Sequence, residues 1–212
     1  MKCKNGWLYA VILTFIFSLA VSGASPSYRL MEIRQDKTGK SVTLVSKIPR
    51  LSGLKDSGEQ AKRNTEFQEE SQKALIWTQM YRAKAGTETA SSEQHYTVSF
   101  ANDACLSLVF QTDFHASGSS AHFKQGHTIR LSDAKSLSFS DLFASESRYL
   151  QTVEQMVQQA LGDPTFHLTP RQSYYLTDQA VVVLVGSVSE FSQREIPLEK
   201  DRLKGLLKPE FC

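Results

Sequence analysis

The chain has 212 residues, with 24 basic and 22 acidic side chains and a formal net charge of +2. That length allows one large domain or two small ones, and it can bury a core without covalent staples. Charge this near balance, with no clustered excess of Lys and Arg, excludes a nucleic-acid footprint.

Lys2 and Lys4 precede an uncharged run from Trp7 to Val21, and the small residues Ser22-Gly23-Ala24 follow it. A positive start, an apolar stretch and a small-residue cleavage site make the layout of a secretory signal. The run is short against the roughly 20 residues of a spanning helix, and Pro26 stops any helix soon after it. Residues 1–24 are therefore expected to be a signal peptide cleaved after Ala24. The alternative is a signal anchor, with membrane contact only through residues 7–21. Either way the rest of the chain is exported, to a periplasmic or extracellular place. Only six residues precede the run, which predicts no cytoplasmic domain. Without Lys2 and Lys4 the charges balance at 22 against 22.

Residues 28–35 and 40–48 read as two strands, with Asp36-Lys37-Thr38-Gly39 as the turn and Pro49 as the stop. Residues 59–84 form a long helix without Gly or Pro. Phe67, Ala74, Leu75, Met80 and Tyr81 recur at helical offsets along it, and Asp56 or Ser57 caps it. The polar connector 86–93 is the expected internal boundary. It divides a strand-strand-helix module (25–86) from a larger module (94–212).

Tyr96, Val98 and Phe100, then Leu106, Leu108 and Phe110, alternate with polar residues and predict a hairpin. Opposed residues share a face, so Phe100 should oppose Leu106 across an odd-numbered loop at Asn102-Asp103-Ala104. Cys105 then faces away from the Leu106 row. A small-residue loop at 116–121 leads to a third strand at 122–131. Residues 138–143 turn into a helix, and 149–161 form a second amphipathic helix, stopped by Gly162-Asp163-Pro164. Strands follow at 174–176, 180–185 and 195–198. The middle one is apolar on both faces and so central, and the last is edge-like because of Pro197. A helix at 199–207 closes the chain. The pattern is an α+β fold, with mostly antiparallel sheet packed against the long helix (59–84) and the amphipathic helix (149–161).

His115 and His122 flank the 116–121 loop, so a hairpin brings them together. With Asp113 they could make a metal site, but His127, five residues from His122 on a strand, points to the opposite face, and a zinc site wants three or four converging ligands. No metal and no cofactor is expected. Gly118-Ser119-Ser120-Ala121-His122 lacks the G-x-S-x-G elbow of a serine hydrolase, and a Cys105–His122 thiol dyad needs an adjacency that sequence does not supply. The residues expected to carry partner or ligand contacts are His115, Gly118, Ser119, Ser120 and His122. Tyr174 joins them as the aromatic that the Tyr174-Tyr175 pair turns outward. Cys105 and Cys212 remain after cleavage. In an oxidising compartment an even pair permits a disulfide. It would close a loop of about 108 residues, worth about 4 to 5 kcal/mol on chain-entropy grounds. A free Cys105 in a sheet and a free Cys212 at the C terminus is the equal alternative.

Several stretches together resemble a known family. Ile48-Pro49-Arg50-Leu51-Ser52-Gly53-Leu54-Lys55-Asp56, followed by a helix carrying Asn64, resembles the first module of the exported part of anti-sigma-V factors, the RsiV-like proteins. Tyr96-Thr97-Val98-Ser99-Phe100, Leu106-Ser107-Leu108, Gly118 with Ala121-His122, and Leu137-Ser138-Phe139-Ser140-Asp141-Leu142-Phe143 resemble the second. Tyr175-Leu176-Thr177-Asp178 and Ile196-Pro197-Leu198 are similar to its closing strands. The resemblance covers most of 28–208. Such modules also precede peptidoglycan deacetylase domains and occur alone in secreted proteins. What the resemblance implies is a non-catalytic cell-envelope binding domain, with lysozyme-like protein or peptidoglycan as its partner. The segment 185–193 is shorter than the Asn-Pro-Tyr-Glu-rich loop of the family. The functional alternatives are an envelope-acting hydrolase using the His115/His122 loop and a purely structural envelope protein.

Overall fold

The computed structural model of the chain describes residues 8–16, 28–144 and 146–212, with side chains described for 28–144 and 149–212. The expected cleavage site at Ser22-Gly23-Ala24 lies outside the described residues. In chain order the elements are β1 (Leu8–Ile16), β2 (Arg29–Thr38), β3 (Val42–Ser52), α1 (Ser57–Ala85), β4 (Ala90–Ala101), β5 (Cys105–Ala116) and β6 (Ser119–Arg130). Then come α2 (Glu146–Leu161), β7 (Tyr174–Leu176), β8 (Ala180–Ser187) and β9 (Ser192–Glu199). One sheet has the order β1-β2-β3-β4-β5-β6 and a second the order β7-β8-β9. The α+β class is as expected, with antiparallel pairing dominant. Among the described residues no helix is long and apolar enough to cross a membrane.

The apolar run read as a signal contains β1, which pairs antiparallel with β2. The β2–β3 reversal comes later than expected. Asp36, Lys37 and Thr38 stay paired with Val45, Leu44 and Thr43, and Gly39 N donates to Val42 O at 2.9 Å. The polar residues that read as a turn include an inward-pointing lysine. Lys37 is buried, and its Nζ donates to Ser71 Oγ at 3.0 Å.

Pro49 does not stop β3. The parallel β3–β4 ladder runs only from Val42↔Ala90 to Ser46↔Gln94. Beyond it β3 has a free side where a missing N–H does no harm, and Pro49 sits opposite Glu32 of β2. Asn64 of α1 takes the place of a strand there. Its Oδ1 accepts from Leu51 N at 2.7 Å, and its Nδ2 donates to Leu51 O at 2.9 Å.

A parallel pair needs a crossover, and α1 supplies it. Asp56 caps its start by accepting from Glu59 N at 2.9 Å, and Gly86 closes it at φ +65° in the left-handed conformation. Its buried face mixes Phe67, Ala74, Leu75 and Tyr81 with Arg63, Glu70, Ser71 and Thr78. Met80 was expected on that face but is exposed, as is Ile76 one turn earlier.

The chain forms two compact units. The first holds Met1–Tyr96, Gln111–Phe123 and Val188–Ser192; the second holds Thr97–Phe110, Lys124–Ser187 and Gln193–Cys212. β4, β5 and β6 each contribute a stretch to both units.

In the first unit Gln94 ties four elements together. Its Oε1 accepts from Ser46 Oγ at 2.8 Å, and its Nε2 donates to Glu70 O and Thr112 Oγ1, each at 3.2 Å. In the second unit Phe100, Cys105, Phe139, Tyr149, Tyr174 and Val183 belong to one buried cluster. Ser99 Oγ donates to Ser107 O at 3.2 Å, which fits the expected register with Phe100 opposite Leu106. The loop itself has the expected three residues. Asn102 Oδ1 accepts from Ala104 N and Cys105 N at 2.9 and 2.8 Å.

The motif 137–143 makes a 3-10 turn, Phe139–Leu142, capped reciprocally by Ser138 and Asp141. Phe143 stacks on Tyr149 at 4.1 Å. β8 is central in its sheet, as its apolar faces predicted. The expected closing helix at 199–207 is instead a 3-10 turn, Lys200–Leu203, followed by another, Pro209–Phe211.

Candidate functional site

The β4, β5 and β6 segments of the first unit turn one face to α1. Thr78 Oγ1 meets Ser92 Oγ, Tyr81 packs on Phe114, and Trp77 packs on Phe123. Alternation then puts Glu93, His95, Asp113, His115, Ser120 and His122 on the opposite face. A shallow depression of about 370 Å³ is lined there by Glu93, Asp113, His115, Ser120, Ala121 and His122. A second, of about 350 Å³, shares His115 and is lined also by Thr43, Ser91, Ala116 and Ser117.

The hairpin that brings His115 and His122 together is tighter than a 116–121 loop. β5 runs to Ala116 and β6 starts at Ser119, so the turn is Ser117-Gly118. Gly118 stands at φ +75°, which favours glycine whatever the surrounding space.

Of the expected site residues, His115, Ser120 and His122 converge. Ser119 does not join them. It faces α1, where its Oγ accepts from Tyr81 Oη at 3.1 Å. Sequence reasoning missed Glu93 and His95. Both lie on β4, whose register is set through a crossover helix and is not marked by any local pattern. Within this face His95 Nδ1 lies 3.7 Å from Asp113 Oδ2, an ion pair only when the imidazole is protonated. Among the described residues, no three His, Cys, Asp or Glu side chains are placed to hold a metal ion.

Tyr174 is not an exposed contact residue. It is buried, its Oη donates to Leu137 O at 2.9 Å, and its ring packs edge-on against Phe139. Burial raises its phenol. Its neighbour Tyr175 is the half-buried one, with Oη donating to Glu195 Oε2 at 2.5 Å. Lys124 Nζ reaches the other oxygen of Glu195 at 2.7 Å.

Both thiols are free, so the disulfide is not formed in this structure. Cys105 is fully buried, and burial pushes its thiol up to about 11 despite the opposing pull of Lys200. That makes it a poor nucleophile at neutral pH. Cys212 is exposed.

A member of the DUF3298 family from Bacteroides fragilis NCTC 9343 superposes with a TM-score of 0.51 at 9% identity, over 85% of this chain and 93% of that one. The chain shares its fold with DUF3298 proteins. A DUF3298 family protein from Pseudomonas aeruginosa PAO1 gives a TM-score of 0.48 at 16% identity, over 87% and 95% of the two chains. The DUF3298 fold is related to that of the RsiV-like domain. No family model and no curated protein matches the sequence.

Proposed function

We propose that the chain is an exported, non-enzymatic binding module. Its exposed sheet face around His115 and His122 would contact a cell-envelope component, a lysozyme-like protein or peptidoglycan. The observation that carries the reading is the pair of shallow depressions sharing His115 on a polar, solvent-facing sheet. Glu93 and Asp113 give that face a complement for a cationic partner surface. The signal-like N terminus and the resemblance of the sequence to RsiV-like proteins support export and an envelope role. The non-enzymatic part is supported by two engaged nucleophiles. Ser119 Oγ is held by Tyr81, and the Cys105 thiol is buried and shifted upward.

Lysozyme pull-down and peptidoglycan sedimentation with the exported protein test the proposal. The double variant Asp113→Ala/His115→Ala is expected to lose retention with its melting temperature nearly unchanged. Retention of neither ligand by the unmodified protein would remove both named partners. Turnover of an envelope glycan or ester that is lost in Ser120→Ala would remove the non-enzymatic reading.

A further inference from the structure

β2 is an inner strand only because β1 covers its outer edge. The cover, Leu8–Ile16, has nine residues and no charge, and it lies inside the run that reads as an export signal. It pairs continuously from Leu8↔Thr38 to Leu13↔Ile33, and again at Ile16↔Met31 after a bulge. Cleavage after Ala24 would strip it away. The backbone N–H and C=O groups of β2 on that side would then be unpaired, and such an edge is a template for another extended chain.

We propose that the processed protein accepts an extended apolar peptide segment of a partner along this edge, antiparallel to β2, in the place β1 vacates. The inference rests on processing at Ala24 and is independent of the lysozyme or peptidoglycan reading.

The register defines what the segment must carry. Lys37 reaches Ser71 of α1, so Met31, Ile33, Gln35 and Lys37 form the α1-side row of β2. In β3 they lie opposite Arg50, Ile48, Ser46 and Leu44, the last three buried. The β1 positions opposite this row are Ile16, Leu13, Val11 and Tyr9, all apolar. The other row of β2 includes Arg34, Asp36 and Thr38, beside which a guest can be polar. The partner is therefore an extended segment with apolar residues at alternate positions on one side. Inward-pointing Lys37 guards the turn end of the edge against indiscriminate pairing.

The test uses the exported protein, with its N terminus sequenced, and a synthetic peptide of Leu8–Ile16 flanked by lysines. Two further peptides are N-methylated at one or the other alternate set of amides. Expected are saturable binding of the plain peptide and slowed hydrogen exchange within Arg29–Thr38. One N-methylated peptide should bind about tenfold or more weakly than the other, because it cannot donate its backbone hydrogen bonds. No saturable binding, equal binding of the two N-methylated peptides, or protection elsewhere overturns the proposal. So does an N terminus that still includes Leu8, which keeps the edge filled. A dimer that already protects Arg29–Thr38 without peptide also overturns it, since a second copy is then the occupant. Failure to retain lysozyme or peptidoglycan alongside normal peptide binding sinks the other reading and leaves this one standing.

Discussion

Two side-chain amides stand in for backbone in the first unit. Asn64 satisfies both polar groups of Leu51 where β3 outruns its ladder, and Gln94 joins β3, α1, β4 and β5. Truncating either leaves part-buried or buried groups without partners, at about 1 to 3 kcal/mol for each group. Asn64→Ala is expected to lower the urea midpoint with an unchanged m-value, and Asn64→Asp to recover only part of the loss, because it restores the acceptor alone. Cys105 gives a prediction of opposite character. Its thiol is raised from 9.0 to about 11 on folding. Between those values the unfolded chain releases a proton that the folded chain keeps. Stability from this group is therefore full below pH 9 and declines as pH rises to 11. Tyr96, raised to about 12 by burial and by Glu32, continues the decline above 10. Melting temperature against pH should show a shallower fall from 9 to 11 in Cys105→Ala than in the parent. The slope is the readout, since the absolute level also shifts with the lost side chain.

Among the elements, the approach of β6 to β7 is the tightest constraint. A Cβ on Gly126 would lie 1.7 Å from Tyr174 O, a backbone atom that cannot swing aside. Gly126→Ala is expected to cost more than about 2 kcal/mol by forcing the strands apart, read as a drop in denaturant midpoint. Ile76→Lys on the exposed side of α1 should move it by less than about 0.5 kcal/mol. What was legible in the sequence follows the same divide. Helix α1 and its caps, the central place of β8 and the His115/His122 hairpin were each marked by local chemistry: periodicity, an Asp before and a Gly after, a strand apolar on both faces. The course of β3 past Pro49 was not, because whether proline is tolerated depends on where the neighbouring ladder ends. Nor was the choice between Tyr174 and Tyr175. Alternation says that one is inside, but which one depends on the cluster built by Phe139 and Leu137. Glu93 and His95 stayed hidden for the same reason, since their partners are set by a crossover of more than thirty residues between β3 and β4.

At the scale of the whole molecule, the two units are not consecutive in the chain. The first unit is finished by Val188–Ser192, from the tip of the β8–β9 hairpin. Phe191 stands there at φ +51°, with its ring 4.9 Å from Tyr81 and 5.2 Å from Phe114, while Lys84 Nζ donates to Glu190 O at 2.6 Å. Positive φ on an aromatic residue is strained, and it persists because this packing holds it. Phe191→Ala is expected to speed hydrogen exchange at the C-terminal end of α1 while leaving β8 protected, a local opening rather than global loss.

That late piece has a consequence for biosynthesis. A chain that emerges N terminus first displays α1 and the first sheet well before the Phe191 tip has appeared, so the first unit cannot close until Val188–Ser192 has been made. Closure through so distant a segment is slow and non-local, and it leaves the inner faces of α1 and its sheet open while the intervening residues are still being made.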